Sequence, residues 1–258
     1  MKISRTVWAV ITVGLIGAFA GCAPGGPGAR AETNRYTSAE RLPERRAQDG
    51  TTIVVGNPAA SSTVHVYEDP RCPVVEEYER TGAEALQKLL LTGEIKAEYT
   101  FASFKDDRLG GDGSKRAVNA LRAALEKGKF VEYHAVLFEN QAAVESSGGF
   151  TTERLLRLAE EVPGLRDEAF DSAVRAMKYR SFVTASQQAY QQTGDDPIGP
   201  GTPTIVVNGH TIDGGLYFAN FDAKLFRLLV SDLHRNPGLW DVTYKPLKEK
   251  AEAEAAKS

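Results

Sequence analysis

The 258-residue chain has two cysteines and four histidines, and both scarcities exclude chemistry. Two cysteines cannot make a disulfide-dense mini-scaffold or a four-cysteine zinc site, although they could form one bridge. His65, His134, His210 and His234 are scattered without a paired ligand motif, so neither a metal nor another cofactor is expected. Charge of one sign is also lacking: 31 basic against 34 acidic side chains leave no broad electrostatic footprint for nucleic acid. No internal repeat is visible. Gly110 to Lys115 is glycine-rich but misses the phosphate-loop spacing, and reads as a loop leading to a helix N-cap. With 42% apolar residues the chain is too hydrophobic for disorder, and most of it should fold as one domain.

The apolar run Val7 to Phe19 is 13 residues, where a membrane-spanning helix needs about 20. Lys2 and Arg5 precede it and Phe19-Ala20-Gly21-Cys22 end it, which is the layout of a secretory signal; a short transmembrane anchor is the alternative. The stretch resembles a bacterial lipoprotein signal, in which the cysteine is acylated and becomes the new N-terminus, although Phe19 stands where that pattern usually has Leu. The resemblance implies a signal over 1–21 and lipidation at Cys22. The location would be the outer face of the cytoplasmic membrane, with a lipid anchor. Residues 22–50, rich in Gly, Pro, Ala and charge, read as a flexible linker. Arg41, Arg45 and Arg46 are interrupted by Glu40 and Glu44, so a polybasic lipid-binding patch is not expected there.

Folded structure is expected from Thr51. Thr52 to Val55, Val64 to Tyr67 and Ile95 to Phe101 have strand character, and Val75, Tyr78, Gly82, Leu86 and Leu89 recur at helical spacing up to a C-cap at Gly93. Residues 105–195 carry apolar stripes of helical period only. Strands return with Thr204 to Val207 and His210 to Ile212 around the hairpin signal Asn208-Gly209. A last amphipathic helix is expected behind Asn220, with Phe221, Leu225, Leu228 and Leu229 as its apolar stripe, and 237–258 read as a charged, fraying tail. This is an α/β pattern with a helical block set inside it.

Cys72 follows a strand and precedes Pro73, a residue suited to the first turn of a helix. A cysteine there is placed for nucleophilic chemistry, because unpaired backbone N–H groups and the helix dipole favour thiolate. Arg71 should help, while Glu76, Glu77 and Glu79 oppose it. A lone cysteine can equally be a small buried hydrophobe. His134 reads as an interior residue of a helical stripe rather than a ligand or base.

The succession V-H-V-Y-E-D-P-R-C-P, then F-V-E-Y-H-A-V-L-F-E-N-Q, then G-P-G-T-P-T-I-V-V-N-G-H resembles the DsbA-like branch of the thioredoxin superfamily, over residues 51–235. The resemblance implies a thioredoxin fold over 51–104 and 196–236 interrupted by a helical insertion over 105–195. It also implies that Cys72 is the nucleophile, that Pro73 and the Thr202-Pro203 loop are its substrate-binding surroundings, and that Pro203 is cis. The family motif is C-x-x-C, whereas Val75 stands here at the resolving position. The second thiol normally attacks the mixed disulfide and frees the partner, so a two-cysteine cycle is not expected.

Three functions remain. The first is a monothiol member whose Cys72 forms mixed disulfides with cysteine-bearing extracytoplasmic proteins or a low-molecular-weight thiol. The second is a non-redox lipoprotein binding peptides or a partner. The third, a cysteine hydrolase, lacks a recognisable histidine partner.

Overall fold

The structure, a computed structural model, describes residues 34–256; the expected signal and Cys22 lie outside the described residues. Six strands form one sheet in the order β1-β2-β4-β3-β5-β6. They are β1 (Glu44–Arg46), β2 (Thr52–Gly56), β3 (Ser62–Glu68), β4 (Ile95–Phe101), β5 (Thr204–Val207) and β6 (His210–Thr211). β3 and β4 pair in parallel, and every other pairing is antiparallel. A parallel pair needs a long crossover, which α1 (Pro73–Glu79) and α2 (Gly82–Thr92) supply between β3 and β4. β5 and β6 turn through Asn208 (φ 49°) and Gly209 (φ 86°), both in the left-handed region that the sequence pair favours.

Strand alternation also places the chemistry. In β3 the residues Ser62, Val64, Val66 and Glu68 are buried while Thr63, His65 and Tyr67 are half-exposed. Period two therefore drives the Glu68 carboxylate into the same apolar face as Val64 and Val66.

Between β4 and β5 lies the helical block: α3 (Lys105–Leu109), α4 (Gly113–Leu125), α5 (Phe130–Glu139), α6 (Gln141–Ser146), α7 (Thr152–Leu158), α8 (Glu168–Arg175) and α9 (Arg180–Gln191). α4 is its axis, packing against α5, α7, α8 and α9. Ala117, Ala120, Ala123 and Ala124 let those neighbours approach closely, and all four are at most 2% exposed. Thr151 caps α7, its hydroxyl accepting from the Arg154 N–H, and Asp167 caps α8 in the same manner.

Four expectations are corrected. The helix expected from Pro73 to Gly93 is broken at Thr81, whose hydroxyl donates to the carbonyls of Glu77 and Tyr78 and whose backbone leaves the helical region. Described residues of the expected linker are folded. Leu42 is 5% exposed in the core, β1 pairs with β2, and the Glu44 carboxylate accepts the backbone N–H groups of Phe130 (2.8 Å) and Val131 (3.1 Å) at the start of α5. Edge pairing and a capping carboxylate order a segment that has little apolar area to bury.

The apolar face of the next helix, α10 (Ala223–Arg235), is Phe226, Leu229, Val230 and Leu233; its N-cap is Asp222, and Leu225 and Leu228 are exposed. The charged tail is largely helix α11 (Lys245–Ala255), packed on the turn Gly214–Phe221. A Cβ at Gly215 would lie 2.3 Å from that of Ala251, so glycine is required for this approach. Lys248 pairs with Asp213 beside it.

Leu42→Ala is expected to lower the unfolding free energy by about 2–3 kcal/mol, seen as an earlier urea midpoint at unchanged slope. A solvated linker would show no change.

Candidate functional site

The site begins where β3 ends. Asp69 organises the turn into α1: its carboxylate accepts from the Arg71 N–H (3.0 Å), the Ser114 hydroxyl (2.6 Å) and the Lys105 N–H (3.0 Å), while its carbonyl accepts from the Cys72 N–H (2.9 Å). The turn is thereby fastened to α3 and α4. Burial pushes the Asp69 carboxyl up to about 6, against those hydrogen bonds.

Arg71 completes the fastening. Its Nε and Nη2 donate to the Glu145 carboxylate, and its Nη1 donates to Asp106 (3.1 Å) and to the Gly110 carbonyl (2.8 Å). Asp106 also accepts the N–H groups of Ser114 and Lys115 at the start of α4. The expectation that Arg71 supports the Cys72 thiolate is therefore corrected: its guanidinium is spent on carboxylates of the helical block. Glu79 does not face the thiol either, because it ends α1 and turns to His134.

Cys72 is the N-cap residue of α1, with Pro73 in the first turn. Its carbonyl accepts from the Val75 and Glu76 N–H groups, but its sulfur does not cap the helix. Instead Sγ lies 3.3 Å from the Thr202 carbonyl oxygen, and the Thr202–Pro203 peptide is cis. The thiol and the loop, 130 residues apart in the chain, are thus brought together. Cys72 is only 3% exposed, and beneath it Val75, fully buried, packs with Phe138.

Sequence reasoning passed over the residues that complete this surrounding. Tyr190 of α9 accepts the Gly201 N–H through its hydroxyl (3.0 Å) and stacks on Phe104, holding the loop before Pro203. Burial pushes the Tyr190 phenol up to about 12. Tyr217 is 38% exposed; burial, together with its nearness to Cys72 and Glu77, raises its phenol too. Phe218 beside it is 61% exposed, and Val74 of α1 is 37% exposed, so the surroundings of the buried thiol offer apolar surface. Val74 lies within the C-x-x-C stretch, but Phe104, Tyr190, Tyr217 and Phe218 lie in no motif, and elements far apart in sequence bring them together.

The histidines do not serve Cys72. His65, His210 and His234 line a cavity around the start of β3. His134 reaches the thiol pocket only through Phe138, whose ring lies 4.9 Å from the imidazole. His134 Nε2 is 2.6 Å from Glu68 Oε1. Burial pulls His134 down, but Glu68 and Glu79 outweigh it and push the imidazole up to about 9. Burial pushes Glu79 up to about 8, opposed by His134.

A family model described as thioredoxin matches residues 48–225. The chain belongs to this thioredoxin family. The MdbA protein of Corynebacterium diphtheriae, a thiol-disulfide oxidoreductase, superposes with TM-score 0.58 at 20% identity, covering 72% of this chain and 94% of that one. BdbD of Bacillus subtilis in its oxidised form gives TM-score 0.58 at 22% identity over 71% of this chain and 92% of its own. Reduced DsbA of Mycobacterium tuberculosis gives 0.52 at 22% identity over 74% and 98%. A search of curated proteins finds no match. The helical insertion is part of this likeness: the thioredoxin fold here is the DsbA-like form. Among the described residues no helix is long and apolar enough to cross a membrane.

Arg71→Ala is expected to cost about 3–5 kcal/mol in equilibrium unfolding, because Asp106 and Glu145 would both be left without their cation. A loss under 1 kcal/mol would show that the turn holds itself.

Proposed function

We propose that the protein is an extracytoplasmic, lipid-anchored thioredoxin-fold protein that performs monothiol–disulfide exchange through Cys72. The observation that carries the reading is the approach of Sγ to the Thr202 carbonyl at the start of α1, in a chain whose structural neighbours include thiol-disulfide oxidoreductases. The Cys72 thiolate attacks one sulfur of a client disulfide. A Cys72–client S–S bond forms, the client S–S bond breaks, and the departing thiolate carries the electron pair and takes up a proton. Val75 has no thiol to reverse this, so a second thiol from solution, on a protein or a small molecule, attacks the mixed disulfide and restores Cys72. Exposed Val74, Tyr217 and Phe218 provide apolar surface for a client segment on the Cys72 side of the site.

The 3% exposure of Cys72 favours a second reading, in which the same surroundings bind a partner without exchange. The two separate cleanly. Under exchange, purified protein incubated with disulfide-bearing clients forms complexes that survive denaturing gels, are released by reductant and vanish in Cys72→Ala. Complexes that persist in Cys72→Ala, with no covalent species in the wild type, establish the binding module instead.

Val75→Cys places a thiol three residues along α1 from Cys72. It is expected to raise insulin-reduction turnover at least tenfold over wild type. No gain in a variant with native circular dichroism would mean that the pocket, and not only the missing thiol, has departed from dithiol chemistry.

A further inference from the structure

Beneath the thiol pocket, the sheet, the Cys72 helix and the helical insertion meet in a polar cluster that exchange does not use. Glu68 is the last inward residue of β3 and is fully buried, Glu79 ends α1, and His134 lies on α5. One potential ligand atom from each lies within 4.8 Å of the others.

The two contacts of the imidazole are unlike. Nε2 sits 2.6 Å from Glu68 Oε1, a short hydrogen bond. Nδ1 sits 3.7 Å from Glu79 Oε2, too far for a hydrogen bond. That spacing suits two ligands of one tetrahedral cation, which lie about 3.4 Å apart when the bonds are about 2.1 Å. A cavity of about 200 Å³ lies against Glu79 and His134 but not against Glu68. Glu68 therefore stands behind the imidazole on its Nε2 side, and the cavity against Glu79 and His134 has room for water.

Acceptors outnumber donors here. Glu68 Oε2 and Glu79 Oε1 are buried without a hydrogen-bond partner, as is the hydroxyl of fully buried Tyr78, whose electrostatic neighbours include both carboxylates. Buried acceptors left unpaired are costly, and a cation beside Nδ1 relieves the Glu79 carboxylate.

We propose that Glu79 and His134 Nδ1 bind a divalent transition-metal cation of the zinc class, with Glu68 holding the Nε2–H from behind and water from the cavity completing the shell. A carboxylate on the second nitrogen is the usual support of a metal-bound imidazole, fixing its tautomer and orientation. Imidazole with carboxylate selects zinc and its neighbours over calcium or magnesium. Two carboxylates, a neutral imidazole and a doubly charged cation sum to zero, which suits side chains this deeply buried. The cation would join the end of α1 to α5 and so brace the Cys72 helix against the insertion. The site is independent of the exchange reading, because no ligand is shared with Cys72.

The test uses the full chain, stripped with chelator and titrated with zinc by calorimetry, with bound metal counted by elemental mass spectrometry. One equivalent is expected. Affinity should fall at least tenfold in Glu79→Gln and His134→Asn, and about 10–100-fold in Glu68→Gln. It should be unchanged in Cys72→Ala and in a His65, His210 and His234 triple alanine variant. Should His134→Asn not fold, cobalt added to the wild type gives a readout without mutation: visible bands of a nitrogen- and oxygen-ligated ion, without sulfur charge transfer. No stoichiometric binding overturns the proposal, as does binding that is lost with Cys72→Ala or is indifferent to Glu79→Gln.

Discussion

The guanidinium of Arg71, clamped between Glu145 and Asp106 and resting on the Gly110 carbonyl, is the contact on which the site depends. With Asp69 it ties the end of β3 to three helices of the insertion, and Cys72 is the next residue. The cost of burying these charges is offset because nearly every polar atom of the turn has a partner, several of them backbone N–H groups at the start of α4. A turn held in this way has little freedom, so the sulfur is delivered to one place, under the Thr202 carbonyl.

The opposite wall is built by the insertion. Tyr190, from its last helix, carries the Gly201 N–H on its hydroxyl and so sets the loop that ends in Thr202. The helical block is therefore part of the thiol site, not an appendage beside it. Where a second thiol would stand, Val75 is packed against Phe138 with no exposed surface. The position has been converted to core, which separates the thiol above from the Glu68, Glu79 and His134 cluster below.

Much of this was legible in the chain. Strand alternation in β3, the Asn208-Gly209 turn and the Cys72-Pro73 junction are local signals, each expressed within a few residues, and the structure carries all three. The errors came where long-range contacts override local composition. Residues 34–50 look like linker because they hold few aliphatics, yet β1 is ordered by backbone bonds to β2. The end of the chain looks like a fraying tail, yet α11 finds a seat at Gly214 and Gly215. In α10 the spacing of Leu225, Leu228 and Leu229 suggests one apolar face, yet only Leu229 of the three is buried, because the orientation of the helix is set by what it packs against.

The sequence by itself determined the family pattern, the single candidate thiol at a helix start and the absence of its resolving partner, since residue identity and short spacing suffice for all three. Only the tertiary structure decided that Arg71 serves the insertion rather than the sulfur, that Tyr190 and Tyr217 belong to the site, and that Glu68 and Glu79 face His134. Those pairings join residues up to about 150 positions apart, and nothing in their own neighbourhoods marks them. Burial in a shared low-dielectric pocket gives them their meaning, and that is a property of the packed molecule alone.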